Sequence, residues 1–335
     1  MSEFLDTESP LIDVRSPAEY DKGHIPGAIN LPLFNNDDRA AIGTKYKQSG
    51  SKEAVELGLA IVGPRLADLA KELNQAAPTA KLRLYCWRGG MRSNSVAWLA
   101  KMIGCEAFVL DGGYKRFRNW ALTLFGDPWP IRLLGGSTGS GKTMVLQMLA
   151  QKGAAVIDLE AIAHHRGSSY GGLGLPEQPS VEHFENCIAL RLYRYAGRKT
   201  LWLEAESAQV GSCRIPNGLW QQMQQAPMVL LERSKSERIR NLVETYGGQS
   251  QQDLINATER LSRRLGPQRT EKAICSIRNG QLDKACAEIL DYYDRSYTAE
   301  IQRRQLNCKA GIVRVDASGK SLETIAMVLL QLRDV

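Results

Sequence analysis

Short apolar runs recur along the chain, each followed by a longer stretch of mixed periodicity. Leu11–Arg15 and Ala28–Leu31 read as buried strands, Leu82–Tyr85 and Ala107–Leu110 as strands, and Ser51–Val62, Ser93–Ile103 and Tyr114–Phe125 as helices. The pattern is interrupted at Gly126-Asp127-Pro128-Trp129-Pro130 and then restarts. Ile131–Leu134, Ala155–Ile157, Leu201–Leu203 and Met228–Leu231 are strands, with a helix at Lys142–Gln151. Residues 236–305 read as charged helices, and Gly311–Val315 and Leu322–Leu332 as a last strand and helix. Alternation of strand and helix predicts an α/β fold with parallel sheets. Two domains are expected, residues 1–126 and 127–335, the second carrying a helical insertion at about 236–305.

Composition narrows the class. A length of 335 residues suits two domains at one per roughly 150 residues. With 43% hydrophobic and 24% charged residues, the chain is neither wholly disordered nor collagen-like. No window approaches the roughly 18 apolar residues of a membrane span. The opening MSEFLDTESP lacks a basic-then-apolar signal pattern. The expectation is a soluble, cytoplasmic monomer with no membrane partner. Seven Cys without a CxxC pair, and four His, argue against structural zinc and against a disulfide framework. The net charge of +7 lies mostly in residues 127–335, which hold 27 basic against 22 acidic side chains. That excess suits an anionic partner such as RNA or a phosphorylated metabolite.

Two segments carry chemistry. In the first, Leu84-Tyr85-Cys86-Trp87-Arg88-Gly89-Gly90-Met91-Arg92-Ser93 reads as a strand, a tight turn and a helix start. Backbone amides at a helix N-terminus favour an anion, Gly89 and Gly90 let the chain curl, and Arg88 and Arg92 add positive charge. A thiol in that cradle ionises more readily than a free Cys and can attack sulfur, selenium or phosphorus. An isolated Cys after a strand is otherwise a core residue, and the other six are read as structural. In the second segment, Gly136-Ser137-Thr138-Gly139-Ser140-Gly141-Lys142-Thr143 matches the phosphate-binding loop and sits between a strand and a helix. The Gly136, Thr138, Gly139 and Gly141 backbone would wrap phosphate oxygens. Lys142 would neutralise them, and Thr143 could hold Mg²⁺. Whether ATP or GTP binds is open.

Around this loop the residues leave alternatives. Asp158 and Glu160, or Glu204 and Glu206, follow strands and either hold metal or act as a base, or simply cap a helix or turn. His165, Arg166 and Ser168 lie in a Gly-rich segment that closes over a ligand or forms a surface turn. Gly58, in mid-helix, either admits an apolar ligand or lets two helices pack closely. Arg260, Arg263, Arg264 and Arg269, with Arg303-Arg304, contact RNA phosphates or form a solvated face.

Asp13-Val14-Arg15-Ser16-Pro17-Ala18-Glu19-Tyr20, Gly23-His24-Ile25-Pro26-Gly27-Ala28-Ile29-Asn30-Leu31-Pro32, the Cys86 loop and Leu110-Asp111-Gly112-Gly113-Tyr114 resemble a rhodanese domain over roughly residues 8–125. The resemblance implies that Cys86 carries a chalcogen in a persulfide-type adduct. Cys86-x5-Arg92 is one residue longer than in most single-domain rhodaneses and resembles the loop of related phosphatases. The longer loop suits a tetrahedral phosphorus-containing anion. A rhodanese-like domain joined to a phosphate loop, with Asn35–Thr44, Tyr46-Lys47-Gln48, Asp158-Leu159-Glu160, His165–Ser168, Glu204–Ser207, Arg263–Gly266, Gln268-Arg269 and Tyr292-Tyr293-Asp294, resembles the tRNA 2-selenouridine synthase family over nearly the whole chain.

That resemblance implies a tRNA substrate carrying 2-thiouridine at the wobble position. It also implies geranyl diphosphate and selenophosphate as co-substrates. The sulfur is first geranylated, and selenium then replaces the geranylthio group. A phosphatase fused to a nucleotide kinase is the competing enzyme reading, but no acid for an alkoxide leaving group is evident near Cys86. A sulfur-relay or RNA-binding module with a nucleotide-gated switch is the third.

Overall fold

β1 (Leu11–Asp13) and β3 (Lys81–Tyr85), which bury Leu11, Ile12, Leu82, Leu84 and Tyr85, form the middle of a parallel sheet, flanked by β2 (Ile29–Asn30) and β4 (Glu106–Val109) in the order β2-β1-β3-β4. This computed structural model describes residues 1–307 and 311–332. Ile12, Leu82 and Leu84 pack with Leu73, Val96 and Ala100 to form the core of this unit. The opening motif is held by a buried ion pair. Arg15 Nη2 donates to Asp13 at 2.6 Å and to the Gly23 carbonyl at 2.7 Å, and its guanidinium stacks 3.9 Å over the Tyr114 ring.

The second sheet has five parallel strands in the order β11-β10-β5-β7-β6. They are β5 (Ile131–Gly136), β6 (Ala155–Ile157), β7 (Leu201–Glu204), β10 (Met228–Glu232) and β11 (Ile312–Asp316). A small antiparallel hairpin, β8 (Gln209–Val210) with β9 (Cys213–Arg214), follows β7. Parallel strands must be covered on both faces, which explains their near-continuous apolar sequences. Val145, Leu146 and Leu149 of the helix Lys142–Gln151 pack on Leu134, Trp202 and Val229.

Among the described residues, five helices lie between β10 and β11: Lys235–Tyr246, Gln251–Arg260, Ser262–Leu265, Pro267–Arg278 and Leu282–Asn307. The last four build their own core around Leu254, Leu261, Ala273 and Ile289. The chain divides into two compact units. Met1–Leu124 with Glu185–Leu190 forms one, and Phe125–Phe184 with the chain from Arg191 forms the other.

Of the cysteines read as structural, Cys105 and Cys213 are buried, Cys187 and Cys286 half-buried and Cys275 exposed, whereas Cys308 lies outside the described residues. Among the described residues no helix is long and apolar enough to cross a membrane.

Candidate functional site

The thiol of Cys86 sits where β3 ends and the helix Met91–Met102 begins. Gly89 and Gly113 make the turn possible. Both have left-handed φ, +65° and +56°, and a Cβ at Gly113 would lie 2.3 Å from the Cys86 carbonyl oxygen. Ser93 Oγ donates to Cys86 Sγ at 3.3 Å. Burial works to raise the thiol pKa. The Ser93 hydroxyl and the backbone amides of Ser93, Arg88 and Gly90 outweigh it, so Cys86 ionises below its ordinary range. Cys286 shows the contrast: burial, with Asp283 nearby, pushes its thiol up to about 11.

The two loop arginines differ. Arg88 is exposed. Arg92 is committed to Glu19, with Nη1 donating to Oε2 at 2.7 Å, so it supports the loop instead of standing free in the cradle. Glu19 also accepts from the Ser16 amide at 3.2 Å. One carboxylate thus ties the opening motif to the cysteine loop. Ser93, seen in sequence only as the end of that loop, is the missed functional residue here. We expect Ser93→Ala to raise the midpoint of the pH dependence of Cys86 alkylation by iodoacetamide. The wild-type midpoint should fall below the roughly 8.5 of a free Cys.

In the second unit, β5 runs into the loop Gly136–Thr143 and the helix Lys142–Gln151, as the motif requires. Gly139 and Gly141 have φ +82° and +85°. Neighbouring helices hold the loop in place. Arg238 Nε donates to the Thr138 carbonyl at 2.9 Å, and Asn241 Nδ2 to that of Gly139 at 2.8 Å. Arg238 is itself paired with Asp294 at 2.5 Å. Tyr297 accepts from the Gly136 amide at 2.5 Å. Arg238, Asn241 and Tyr297 carry no motif and were not legible in the sequence.

Lys142 Nζ donates to the Gly136 carbonyl at 3.1 Å and lies 3.3 Å from Glu204 Oε1. The Thr143 hydroxyl reaches Glu160 at 3.2 Å and Glu204 at 3.5 Å. Carboxylate oxygens of Glu160, Glu204 and Glu206 lie within 4.8 Å of one another. Burial raises all three; repulsion by Glu204 adds to it at Glu160, raised to about 9, and at Glu206, raised to about 8, and repulsion by Asp158 adds to it at Glu204. Lys142 stays charged: burial opposes this, but Glu204 and Glu206 overcome it. Three carboxyl groups and a hydroxyl around one lysine form a hard-oxygen donor set, which fits Mg²⁺ once Glu160 and Glu206 give up their protons.

Asp158 does not join this group. Its side chain accepts from the Ala161 amide at 2.8 Å and caps the helix Leu159–Ala163.

Residues 129–317 match the tRNA 2-selenouridine synthase AAA domain, and residues 1–119 the rhodanese-like domain. The chain is 36% identical over 332 residues to a tRNA 2-selenouridine synthase of Sulfurovum sp. (strain NBC37-1), covering 88% of this chain and 89% of that one. Against one from Salmonella arizonae (strain ATCC BAA-731 / CDC346-86 / RSK2980) it is 36% identical over 346 residues, covering 91% and 93%. The chain belongs to the tRNA 2-selenouridine synthase family.

The remaining candidates in this family member sort by their contacts. Gly167 packs on the carboxylates, since a Cβ there would lie 2.7 Å from Glu206 Oε2. The neighbouring loop folds on itself. The His165 ring nitrogen meets the Gly167 amide, Arg166 Nη1 donates to the Leu173 carbonyl at 2.9 Å, and Ser168 Oγ accepts from the Tyr170 amide. Gly58 faces Phe34 and Ile42, whose atoms would lie 3.4 and 3.8 Å from a Cβ. These are ordinary van der Waals distances, so Gly58 packs against those two side chains.

The arginines do not share one helix either. Arg260 ends one helix, Arg263 and Arg264 lie on a short second one, and Arg269 follows the break at Gly266, where φ is +87°. Arg260 donates to the Ser169 carbonyl at 2.8 Å, and Arg304 to those of Met223 and Ala226. Arg263 and Arg264 are exposed, and Arg269 is half-buried.

Proposed function

We propose that this protein converts 2-thiouridine at the tRNA wobble position to 2-selenouridine, with geranyl diphosphate and selenophosphate as co-substrates. The observation that carries this reading is the presence in one chain of two differently built anion sites. One is a thiolate cradle at Cys86, and the other a phosphate loop lined by carboxylates.

Alkylation comes first. The thiouridine sulfur forms a bond to the prenyl carbon, the C–O bond breaks and diphosphate leaves. Lys142 and the loop amides stabilise the charge that grows on the leaving oxygen. Mg²⁺ held by Thr143 and the Glu160, Glu204 and Glu206 carboxylates would shield the diphosphate charge. Alkylation also turns a poor leaving group into a good one, because the sulfur then departs as geranylthiol.

Selenium in selenophosphate is already at the oxidation level of selenide, and it stays there in a selenocarbonyl. A perselenide on Cys86 would require phosphorus to be reduced. Attack of the Cys86 thiolate at phosphorus requires no redox partner: the S–P bond forms, the P–Se bond breaks, and selenide adds to C2 as geranylthiolate leaves. Water then releases phosphate from Cys86. The shifted thiol and the longer Cys86-x5-Arg92 loop support this route.

Nucleoside mass spectrometry of thiouridine-containing tRNA, incubated with the protein and both co-substrates, tests the function. S-geranyl-2-thiouridine should rise first and then decay into 2-selenouridine. Selenouridine forming at full rate without geranyl diphosphate would refute the order of steps.

Two further outcomes follow from the site. Protons compete with metal at Glu160 and Glu206, which hold them at neutral pH. Mg²⁺ affinity should therefore rise as pH increases toward 9, measured by calorimetry. The exposed Arg263 and Arg264 are the candidates for phosphate contacts. The Arg263→Ala, Arg264→Ala double variant should bind tRNA more weakly and with a shallower salt slope. An unchanged slope would assign them to a solvated face.

A further inference from the structure

The helix Leu282–Asn307 of the insertion lends two side chains to the phosphate loop. Asp294 and Tyr297 lie one helical turn apart and share a face. Asp294 accepts from both ends of the Arg238 guanidinium, at 3.1 and 2.5 Å, and Arg238 in turn holds the Thr138 carbonyl. This pairing fixes the helix beside the loop. One turn further, the Tyr297 hydroxyl meets the Gly136 amide at 2.5 Å. A Cβ at Gly135 would lie 2.8 Å from the same oxygen, so the end of β5 admits the hydroxyl only because a glycine stands there.

An amide N–H only donates, so the hydroxyl is the acceptor in this bond and its own proton points elsewhere. Lys142, the cation it faces, offers donors and no acceptor. Burial, with Glu300 and Glu204 adding to it, outweighs Lys142 and the Gly136 amide and holds the phenol above its ordinary range, so the proton stays on. Among the described residues the hydroxyl donates to no acceptor. A fixed, protonated oxygen that faces a lysine and lacks an acceptor is matched by an oxygen of an anion. We propose that Tyr297 donates a hydrogen bond to an oxygen of the phosphate group held in Gly136–Thr143, so that the helical insertion completes the anion site. The proposal rests on reading that loop as a phosphate site and adds a side-chain donor that the loop motif does not contain. It holds whichever phosphate compound the loop takes.

The test measures binding of inorganic diphosphate to the full chain with Mg²⁺, by calorimetry at neutral pH. Tyr297→Phe should weaken it at least about tenfold, as expected when a hydrogen bond to a charged group is lost. That variant also strips the Gly136 amide of its acceptor, so a second one separates the two roles. Tyr297→3-fluorotyrosine keeps the hydroxyl but makes it a better donor and a poorer acceptor. Donation to the ligand predicts binding at least as tight as wild type, whereas a hydroxyl that only supports Gly136 predicts weaker binding. Wild-type affinity in Tyr297→Phe, or a loss in both variants, overturns this inference and leaves the loop as a phosphate site. Wild-type affinity in Lys142→Ala, or no binding to the wild-type protein, overturns both.

Discussion

Cys86→Ser should abolish selenium incorporation, with a loss of at least about a thousandfold expected when a nucleophile is removed. S-geranyl-2-thiouridine should accumulate on the tRNA. The reason is local. Cys86 is held by the Ser93 hydroxyl and by loop amides that stabilise its thiolate, and serine has no comparable anion near neutral pH. Alkylation of the tRNA sulfur needs none of this. Serine is smaller than cysteine and keeps a hydrogen-bonding atom at the same place, so the loop should survive. Mass spectrometry of the nucleosides reads both steps at once. Wild-type selenouridine from the variant would remove Cys86 from the reaction.

The second large effect concerns Lys142→Ala. This side chain supplies the positive charge facing Glu204 and the phosphate loop. A charge-assisted hydrogen bond is worth about 1.5–3 kcal/mol, so geranylation should fall at least about tenfold. The loss should be larger at low Mg²⁺, because without Lys142 neither a metal nor a side-chain cation then offsets the charge of Glu204 and the diphosphate. Initial rates of S-geranyl-2-thiouridine formation across a Mg²⁺ series would check this. Rates equal to wild type would mean that the loop does not carry the diphosphate.

How much of this was legible in sequence depended on how local the signal was. Lys142–Gln151 and Ser51–Val62 have the bounds their periodicity predicts, because an apolar stripe and a glycine or proline at each end are local features. The helix Asn36–Ser49 escaped: none of its residues is buried, so it has no apolar stripe, and its clearest mark is the Asn35 cap on the Asp38 amide. The long charged stretch after residue 235 read as helical, but its breaks did not. Gly266 ends one turn in a sequence still rich in helix formers.

The site shows the same division. Cys86 and Lys142 sit in contiguous motifs. The grouping of Glu160, Glu204 and Glu206 depends on β6 and β7 being sheet neighbours, and the choice of Glu160 over Asp158 depends on which one caps a helix. Tyr297, far along the chain from Gly136, left no mark that a sequence could show.

In the proposed reaction the phosphate loop serves alkylation and Cys86 serves selenation. The measurement that tests it most directly gives the Lys142→Ala variant a tRNA whose thiouridine has already been geranylated, with selenophosphate and no geranyl diphosphate. Selenouridine formed at a rate close to wild type is the predicted result, and Cys86→Ser should form none under the same conditions. Equal failure of both variants would contradict a division of labour between the two sites.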